Sequence, residues 1–367
     1  MVHLAIDAVG MKQAGVKTIL LDVLAAVEQH EDIDKATVFT SPRSARDFEF
    51  PSSYKIREIP QPLAESFALR LAWYEYQLSR RVREVGADIL LCLHNAGKSP
   101  PGIPHATFVQ RPLVYPEDAR RRVHLRHRYR MPVIRWAVGR SCRSAETIFV
   151  HTETERKTIS GLFDIPTQRI SVVLPPARTL PTSGAHPDLR PMRDAPEGMR
   201  LLFVGQLFAH KNIRVVLEAM RMVKDHLPAA TLFVSGPPAQ GLEPAPGMVY
   251  LGAVPDRALR EAYELATVLV MPSLYETIGL PMPEAMSVGT PVLAADRPYA
   301  HDVCEDAACF FDPLSSRCCA EQIVRLLADV SLRSVLAQRG FRLVERRRAS
   351  RPYEPMLATT LAMAKCG

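Results

Sequence analysis

Short apolar runs rich in β-branched residues alternate along this chain with longer stretches of helical periodicity. In the first half, seven such runs predict strands, at 2–8, 35–40, 54–59, 87–94, 106–110, 146–151 and 170–174. Stretches with apolar residues at helical spacing lie between several of them and predict helices, at 16–29, 63–85, 117–143 and 152–163. Strands that alternate with helices in this way are typical of parallel sheets joined by crossover helices.

A second series of the same kind begins near residue 199. It predicts strands at 199–205, 230–236, 248–254, 267–272, 290–296 and 308–312. It predicts helices at 211–226, 256–266, 317–329, 331–348 and 353–365.

Residues 175–198, between the two series, are rich in Pro, Gly and Ser and follow neither period. We therefore predict an α/β protein of two doubly wound, Rossmann-like domains, 1–175 and 199–348, joined by a linker at 176–198. Ligands of such sheets bind at the carboxyl ends of the strands, so we expect the two domains to face one another across a cleft.

Composition places the chain among ordinary globular proteins. Its 367 residues suffice for two cores, and 47% of them are apolar and 23% charged. No apolar run approaches the roughly 20 residues that cross a bilayer, and the first residues lack the build of a signal peptide. The seven cysteines have no zinc-type spacing, and Cys318 and Cys319 are adjacent. These features favour a reducing, cytoplasmic location.

The positive charges behind the net charge of +7 are clustered along the chain. Residues 111–143, here called the basic segment, contain ten arginines against only Glu117 and Asp118, and include the run RRRVHLRHRYR at 120–130. Such a segment favours an anionic membrane surface or a pyrophosphate-bearing acceptor, and a solvated helix face is the alternative interpretation. No helix-turn-helix, zinc-finger or RNP-type motif accompanies it, so nucleic acid is not an expected partner.

The most informative motif is PSLYETIGLPMPEAMSVGTPVLAA at 272–295, where seven residues separate Glu276 from Glu284. A GLP turn lies between these carboxylates, and a short helix is predicted to open at the second. Glu276, on the loop, can accept hydrogen bonds from sugar hydroxyls, and a solvent-reachable Glu284 can hold a diol such as ribose. The N–H groups of Gly279 and Leu280 precede a helix N-terminus, where phosphate is favoured. The motif therefore predicts a sugar-nucleotide site.

Three runs in the second half, 204–220, 250–296 and 308–329, carry a family resemblance. Over roughly 199–345 the chain resembles the donor-binding domain of family 4 retaining glycosyltransferases, which have the GT-B fold. Over 1–175 the resemblance is weaker and rests on strand order and on the Gly-bearing loop 10–15. In that fold the closing helix, here 353–365, usually returns to brace the first domain.

The resemblance implies roles for individual residues. Glu276 matches the acid that contacts the transferred sugar, Glu284 the one that holds the ribose, and Lys211 the lysine that neutralises the donor diphosphate. His94 falls where relatives often place a histidine that reaches the donor sugar, although a packed or capping histidine is an equal alternative. Further donor contacts are implied for Gly205, Gln206, Gly279, Leu280 and Val254, the last beside the nucleobase. Acceptor-side positions are Gly15, Gln110 and Arg111.

Two positions depart from the family pattern. Relatives often have Arg where this chain has Gln206, and His-Asp where it has Gln110 and Arg111. A glutamine supplies no positive charge, so the diphosphate would rest on Lys211, on backbone amides and on an arginine from elsewhere. The lysine and the acid remain, which indicates a subfamily difference.

The activity implied by the resemblance is retaining transfer of a sugar from a nucleotide-diphosphate donor, such as a UDP- or GDP-sugar, without metal or other cofactor. The expected acceptor is a lipid-linked or envelope glycan, and the expected location is the cytoplasm, peripherally at the inner face of the membrane. Two alternatives stay open: the same chemistry on a soluble small-molecule acceptor, and a catalytically silent homologue that only binds sugar nucleotides.

Overall fold

The chain, described here from a computed structural model, divides into two compact units. The described residues are 1–11, 14–41, 53–61, 66–120, 125–182, 184–236 and 246–365. The first unit consists of residues 1–114, 126–175 and 351–367, and the second unit of residues 115–125 and 176–350.

A parallel sheet of seven strands forms the centre of the first unit. The strands are β1 (Val2–Asp7), β2 (Ile33–Thr40), β3 (Ile56–Pro60), β4 (Ile89–Cys92), β5 (His105–Phe108), β6 (Thr147–Val150) and β7 (Ile170–Val172). Their order is β3-β2-β1-β4-β5-β6-β7. The direction of winding reverses between β1 and β4, so the carboxyl ends at Asp7 and Cys92 lie side by side, where doubly wound sheets bind ligands.

The first unit contains the helices Ala14–Gln29, Phe67–Ala72, Leu78–Glu84, Leu125–Ser144, Glu153–Phe163 and Tyr353–Lys365. A π-helical turn, Trp73–Gln77, joins the second of these helices to the third. It buries Trp73 and Tyr74, and the indole Nε1 of Trp73 donates to Oδ1 of Asp7 at 2.9 Å. Such turns often occur at functional sites. Of the predicted helix 63–85, residues 63–65 lie outside the described residues.

The predicted helix 117–143 is two helices in the structure, Glu117–Arg120 and Leu125–Ser144, and residues 121–124 lie outside the described residues. The shorter helix belongs to the second unit, where Asp118 pairs with Arg297. The preceding Tyr115 packs on Tyr275 of the same unit, with ring centroids 4.5 Å apart. The basic segment is therefore shared between the two units.

A six-stranded parallel sheet forms the second unit. Its strands are β8 (Arg200–Phe203), β9 (Thr231–Ser235), β10 (Met248–Gly252), β11 (Val268–Met271), β12 (Val292–Ala295) and β13 (Ala308–Phe311), in the order β10-β9-β8-β11-β12-β13. The helices that pack with it are Ile213–His226, Asp256–Leu265, Pro281–Ser287, Pro298–Cys304, Ser316–Ala328 and Val330–Ala349. The winding reverses between β8 and β11, which places the loops after these two strands next to each other.

The segment 176–198, predicted as a linker, is packed into the second unit. It contains the 3₁₀ turn Pro187–Leu189 and the helix Arg190–Asp194, and it buries Leu189 and Met192. Arg193 pairs with Glu261 of the helix Asp256–Leu265. The proline-rich composition therefore marks irregular backbone here, and apolar anchors hold that backbone in place.

The last helix, Tyr353–Lys365, belongs to the first unit. It packs against the helix Ala14–Gln29 and against β4, and its Lys365 Nζ lies 3.2 Å from Oδ2 of Asp32. None of the helices in the described ranges combines the length and the apolar character that a membrane span requires.

Candidate functional site

The loop after β11 carries the GLP turn of the 272–295 motif. Gly279 has φ +70°, and a Cβ there would lie 2.8 Å from Cε of Met282, so this position requires glycine. The helix that follows is Pro281–Ser287, which begins three residues before Glu284 and corrects the predicted start at that carboxylate. Proline at the first helical position explains the earlier start, since its φ suits a helix and it needs no hydrogen-bond acceptor there.

A buried tyrosine braces the start of this loop, and two N–H groups are available to ligands at its end. Tyr299 is buried and its hydroxyl donates to the carbonyl of Ser273 at 2.9 Å, which braces the start of the loop. At its end, the N–H groups of Gly279 and Leu280 donate to no other group of the residues the structure describes. They remain available to an anionic ligand.

Lys211 and Glu276, which the resemblance assigns to one donor site, lie in contact. Lys211 ends the 3₁₀ turn Ala209–Lys211 in the loop after β8, and Glu276 lies in the loop after β11, the neighbouring strand. Lys211 Nζ lies 2.5 Å from Oε1 of Glu276, and the two side chains are only 14% and 15% exposed. The loop after β8 is fixed by Asn212, a buried residue at φ +54° whose Nδ2 donates to the carbonyl of Pro313 at 2.8 Å.

Gly205 opens the same loop at φ +141° and leaves space beside Lys211, whose Nζ lies 3.8 Å from the position of a Cβ on this glycine. The next residue, Gln206, is exposed, and its carbonyl accepts from the N–H of Phe208 at 2.8 Å. Val254 is half-buried in the loop after β10. These three predicted donor positions therefore lie in loops at the carboxyl ends of β8 and β10.

Glu284 differs from its prediction as a solvent-reachable group. It is 4% exposed, and both of its oxygens are engaged within the protein. Oε1 lies 2.6 Å from Nε of Arg178, and Oε2 accepts from the hydroxyl of Tyr263 at 2.7 Å. Burial raises the pKa of Glu284, while Arg178 and Tyr263 act in the opposite direction. The sequence does not indicate these partners because Arg178 lies 106 residues earlier.

Arg178 also pairs with Asp256, at 3.1 Å, which follows Val254 by two residues in the chain. A carboxylate offers about four acceptor positions, and Arg178 and Tyr263 use two of those on Glu284. A ligand could use the remaining lone pairs only by reaching a carboxylate that is almost fully enclosed. Arg178 therefore links the predicted ribose position to the predicted nucleobase position.

A row of aromatic rings flanks Lys211 and Glu276 and was not predicted. Phe208, His210, Tyr275 and Tyr115 follow one another with ring centroids 5.8, 4.7 and 4.5 Å apart. Phe208 is 52% exposed. Three of these residues occupy loops that directly follow strands, which is the sequence signal that points to a site.

In the first unit, His94 lies just beyond β4, beside the end of β1. Its Nδ1 lies 3.2 Å from the hydroxyl of Tyr74, which also lies 3.2 Å from the carbonyl of Val9. That carbonyl can only accept, so both contacts are satisfied when Tyr74 donates to Val9 and His94 donates from Nδ1. Desolvation, with Arg70 and Arg111, lowers the pKa of His94 to about 3. The imidazole is therefore neutral and presents Nε2 as an acceptor.

The acceptor-side residues predicted from the sequence have different surroundings. Gln110 donates from Nε2 to the carbonyl of Leu93 at 2.6 Å and from its N–H to Oδ1 of Asn95 at 2.7 Å. It thus holds the loop that carries His94. Arg111 lines a pocket with His94, while the backbone of Gly15 lies in the first turn of the helix Ala14–Gln29.

Comparison with known proteins bears on the second unit most directly. Residues 198–329 match the family described as glycosyl transferases group 1. O-antigen chain mannosyltransferase B of Escherichia coli is 32% identical over 221 residues, which are 54% of this chain and 56% of that protein. The chain thus matches about half the length of that relative.

Two further proteins match over most of the chain. O-antigen chain mannosyltransferase RfbU of Salmonella typhimurium is 24% identical over 84% of this chain and 86% of its own length. The crystal structure of Anabaena HepE, in complex with UDP and glucose, superimposes with a TM-score of 0.73 and 15% identity, covering 99% of this chain and all of HepE. The two doubly wound units are therefore those of a GT-B fold.

Proposed function

We propose that this chain, whose residues 198–329 match the family described as glycosyl transferases group 1, transfers a sugar from a nucleotide diphosphate to an envelope glycan. The observation that carries the proposal is the contact of Lys211 with Glu276, at 2.5 Å, on the loops of two neighbouring strands where the winding reverses. Two relatives are O-antigen mannosyltransferases, which supports a glycan acceptor. HepE was solved with UDP and glucose, which supports a nucleotide-sugar donor.

The proposed chemistry is mainly electrostatic. The bond from the anomeric carbon to the departing phosphate breaks, and a bond to the acceptor oxygen forms on the same face of the sugar. Configuration is retained because the new bond forms on the face from which the phosphate departs, and the acceptor's proton passes to that phosphate. Lys211 and the N–H groups of Gly279 and Leu280 stabilise the negative charge that grows on this phosphate. We propose that these groups supply enough positive charge for transfer without a metal ion.

Glu276 and His94 have positioning roles in this proposal. Once the diphosphate draws Lys211 away, the carboxylate of Glu276 accepts hydrogen bonds from hydroxyls of the transferred sugar. His94 presents the unprotonated Nε2 of a neutral imidazole to another hydroxyl. Glu284 binds the ribose with the lone pairs that Arg178 and Tyr263 leave unused.

Donor identity is tested by thermal shift with UDP-, GDP-, ADP- and dTDP-sugars, since a ligand at 100 times its Kd adds about 2.7 kcal/mol of stability. The donor that binds is then used to measure release of free nucleotide, with and without a glycan acceptor. We expect Lys211→Ala to lower kcat about 100- to 1,000-fold, the usual cost of losing one such charge-stabilising group. The exposed Lys157→Ala in the first unit is the control, and kcat should stay within twofold of wild type.

Separate measurements of donor binding and of turnover distinguish an active transferase from a silent binding homologue. If Lys211→Ala keeps wild-type kcat, the lysine does not meet the transition-state charge and the proposed site is wrong. A protein that binds a sugar nucleotide but neither hydrolyses nor transfers it would be a silent binding homologue, the alternative that Gln206 and Gln110 suggest.

The basic segment supports a membrane-presented acceptor. On the helix Leu125–Ser144, Tyr129, Val133 and Trp136 are exposed at helical spacing, amid arginines of the same segment. Aromatic rings beside cations are typical of surfaces that lie on anionic headgroups. We expect the protein to co-sediment with vesicles containing anionic lipid at low salt and to release as ionic strength rises. The double variant Tyr129→Ser, Trp136→Ser should bind these vesicles less. If the wild-type protein bound neutral vesicles as well as anionic ones, the proposed attraction to anionic lipid would be wrong.

A further inference from the structure

His94 is connected to Asp7 by a chain of buried contacts in the first unit. Asp7 ends β1 and is fully buried, and its Oδ1 accepts from the indole Nε1 of Trp73 at 2.9 Å. The next residue, Tyr74, is also buried, and its hydroxyl lies 3.2 Å from Nδ1 of His94. The π-helical turn Trp73–Gln77 therefore carries both the residue that binds Asp7 and the residue that contacts His94.

The π-helical turn links the positions of these two side chains. Consecutive residues of a regular α-helix point about 100° apart, yet here Trp73 and Tyr74 are both buried. Trp73 packs edge-on against Phe39 of β2, with ring centroids 5.6 Å apart, and it reaches Asp7 from there. Trp73 and Tyr74 share one rigid peptide plane. A shift of the indole would therefore also move the phenol that contacts His94.

Tyr74 determines which nitrogen of His94 carries the proton. Its hydroxyl has one hydrogen, and the carbonyls of Val9 and His94, at 3.2 and 3.4 Å, can only accept it. The hydroxyl oxygen is then the acceptor for Nδ1–H of His94. On the other side of the ring, a Cβ on Gly10 would lie 3.1 Å from Cε1 of His94, and Gly10 has φ +93°. The imidazole is therefore confined between a hydroxyl and a glycine, with Nε2 as its acceptor.

The strength of the first contact depends on the charge of Asp7. Among the described residues, the titratable groups that face it are those of Arg70, Tyr74 and Cys92. Burial raises the pKa of Tyr74 and of Cys92 well above their usual values, so both stay neutral. Burial also raises the pKa of Asp7 to about 7, against opposing effects of Trp73 and Arg70. A carboxylate accepts a stronger hydrogen bond than a carboxylic acid does, so the bond from Trp73 strengthens as pH rises through this value.

We propose that Asp7 and Trp73 are positioning residues that fix the tautomer and the orientation of His94 through the π-helical turn. The inference rests on the proposed function in one respect, that Nε2 of His94 accepts from a hydroxyl of the transferred sugar. It adds that a carboxyl and an indole that touch no substrate determine how this acceptor is presented. Weakening the link should therefore impair recognition of the sugar and spare recognition of the nucleotide.

Nuclear magnetic resonance tests the link without any substrate. The chain has two tryptophans and Trp136 is exposed, so the indole N–H signal of the buried Trp73 can be assigned. This signal should move with a midpoint near pH 7 in wild type, as Asp7 titrates. It should not move in Asp7→Asn, which keeps an acceptor oxygen but carries no charge.

Isotope-labelled histidine reports the tautomer of His94, whose signals are identified by their loss in His94→Gln. Wild type and Asp7→Asn should both show the Nδ1–H tautomer, whereas Trp73→Phe and Asp7→Ala should show a mixture of the two tautomers. The control is Tyr76→Phe in the same turn, where Tyr76 is 78% exposed, and it should match wild type.

Calorimetry with UDP-glucose and UDP then separates this inference from the proposed function. In Trp73→Phe the Kd of UDP-glucose should rise about fivefold, as for one neutral hydrogen bond, and the Kd of UDP should stay within about twofold. A wild-type tautomer in folded Trp73→Phe and Asp7→Ala would overturn the inference, as would a Trp73 signal that does not follow Asp7. A changed tautomer with an unchanged Kd of UDP-glucose would support the link and overturn the role of His94 in the proposed function.

Discussion

The two units have the same topology at their reversal points but different arrangements of charge. In the second unit, the cations of the site are already paired, Lys211 with Glu276 and Arg178 with Glu284. In the first unit, burial acts on two titratable groups: it raises the pKa of Asp7 to about 7 and lowers the pKa of His94 to about 3. The reversal point of the second unit therefore holds its charges in ion pairs, whereas burial at the reversal point of the first unit favours the neutral forms of Asp7 and His94.

The difference has consequences for ligand exchange. An anion that approaches Lys211 must compete with Glu276, and binding becomes an exchange of partners in which the carboxylate is released for another ligand. A paired site thus favours ligands that satisfy both the cation and the carboxylate, as a sugar nucleotide does with its phosphates and its hydroxyls.

The largest expected effect comes from removing the cation of the buried pair that Arg178 forms with Glu284. Arg178→Gln leaves Glu284 enclosed without its guanidinium, which typically costs about 3–5 kcal/mol. In the variant the folded-state pKa of Glu284 rises further above the unfolded value, so the folded state retains a proton that the unfolded state loses. The free energy of unfolding should therefore fall as pH rises above about 4.5, and the deficit should be larger at pH 8 than at pH 5.

Urea unfolding at both pH values measures this effect. Arg178→Gln combined with Glu284→Gln should recover part of the loss at pH 8, because no buried charge is left unpaired. The control is Arg260→Gln, which breaks an exposed pair with Glu264 and should change stability by less than about 1 kcal/mol. Equal deficits at pH 5 and pH 8 would show that Arg178 acts through packing rather than through charge.

A smaller effect is expected from removing the carboxylate of the other ion pair in the second unit. Glu276→Gln removes the carboxylate beside Lys211 and leaves the lysine's charge free for a phosphate. We expect UDP to bind several-fold more tightly, roughly 1 kcal/mol, while the matching UDP-sugar gains less or binds more weakly because its hydroxyls lose an ionised acceptor. Calorimetry with both ligands measures the difference. Parallel changes in the two affinities would mean that Glu276 does not contact the sugar.

Most of the fold follows from local sequence pattern. The apolar run 87–94 predicts β4, and 267–272 predicts β11, because strands buried on both faces read as continuous apolar runs. The helix Pro298–Cys304 was missed, since seven residues with Asp and His inside give too little periodicity. The packed segment 176–198 was predicted as a linker because its composition records irregular backbone and not its few buried anchors.

The candidate site also has one part that the local sequence predicts and another part that depends on tertiary packing. The meeting of Lys211 with Glu276 is predictable, because each follows a strand and the motif around them fixes the turns. The enclosure of Glu284 is not, because Arg178 and Tyr263 reach it only through tertiary packing. The aromatic row from Phe208 to Tyr115 likewise brings together residues far apart in the chain.

The return of Tyr353–Lys365 to the first unit affects how the protein is made. During translation, residues 1–175 emerge well before this helix, and the whole second unit is synthesised in between. At about 5–20 residues per second, the wait is roughly 10–35 s. Throughout it, β4 and the helix Ala14–Gln29 lack the helix that packs on them. The nascent first unit therefore lacks the cover over this face until Tyr353–Lys365 has left the ribosome and packed.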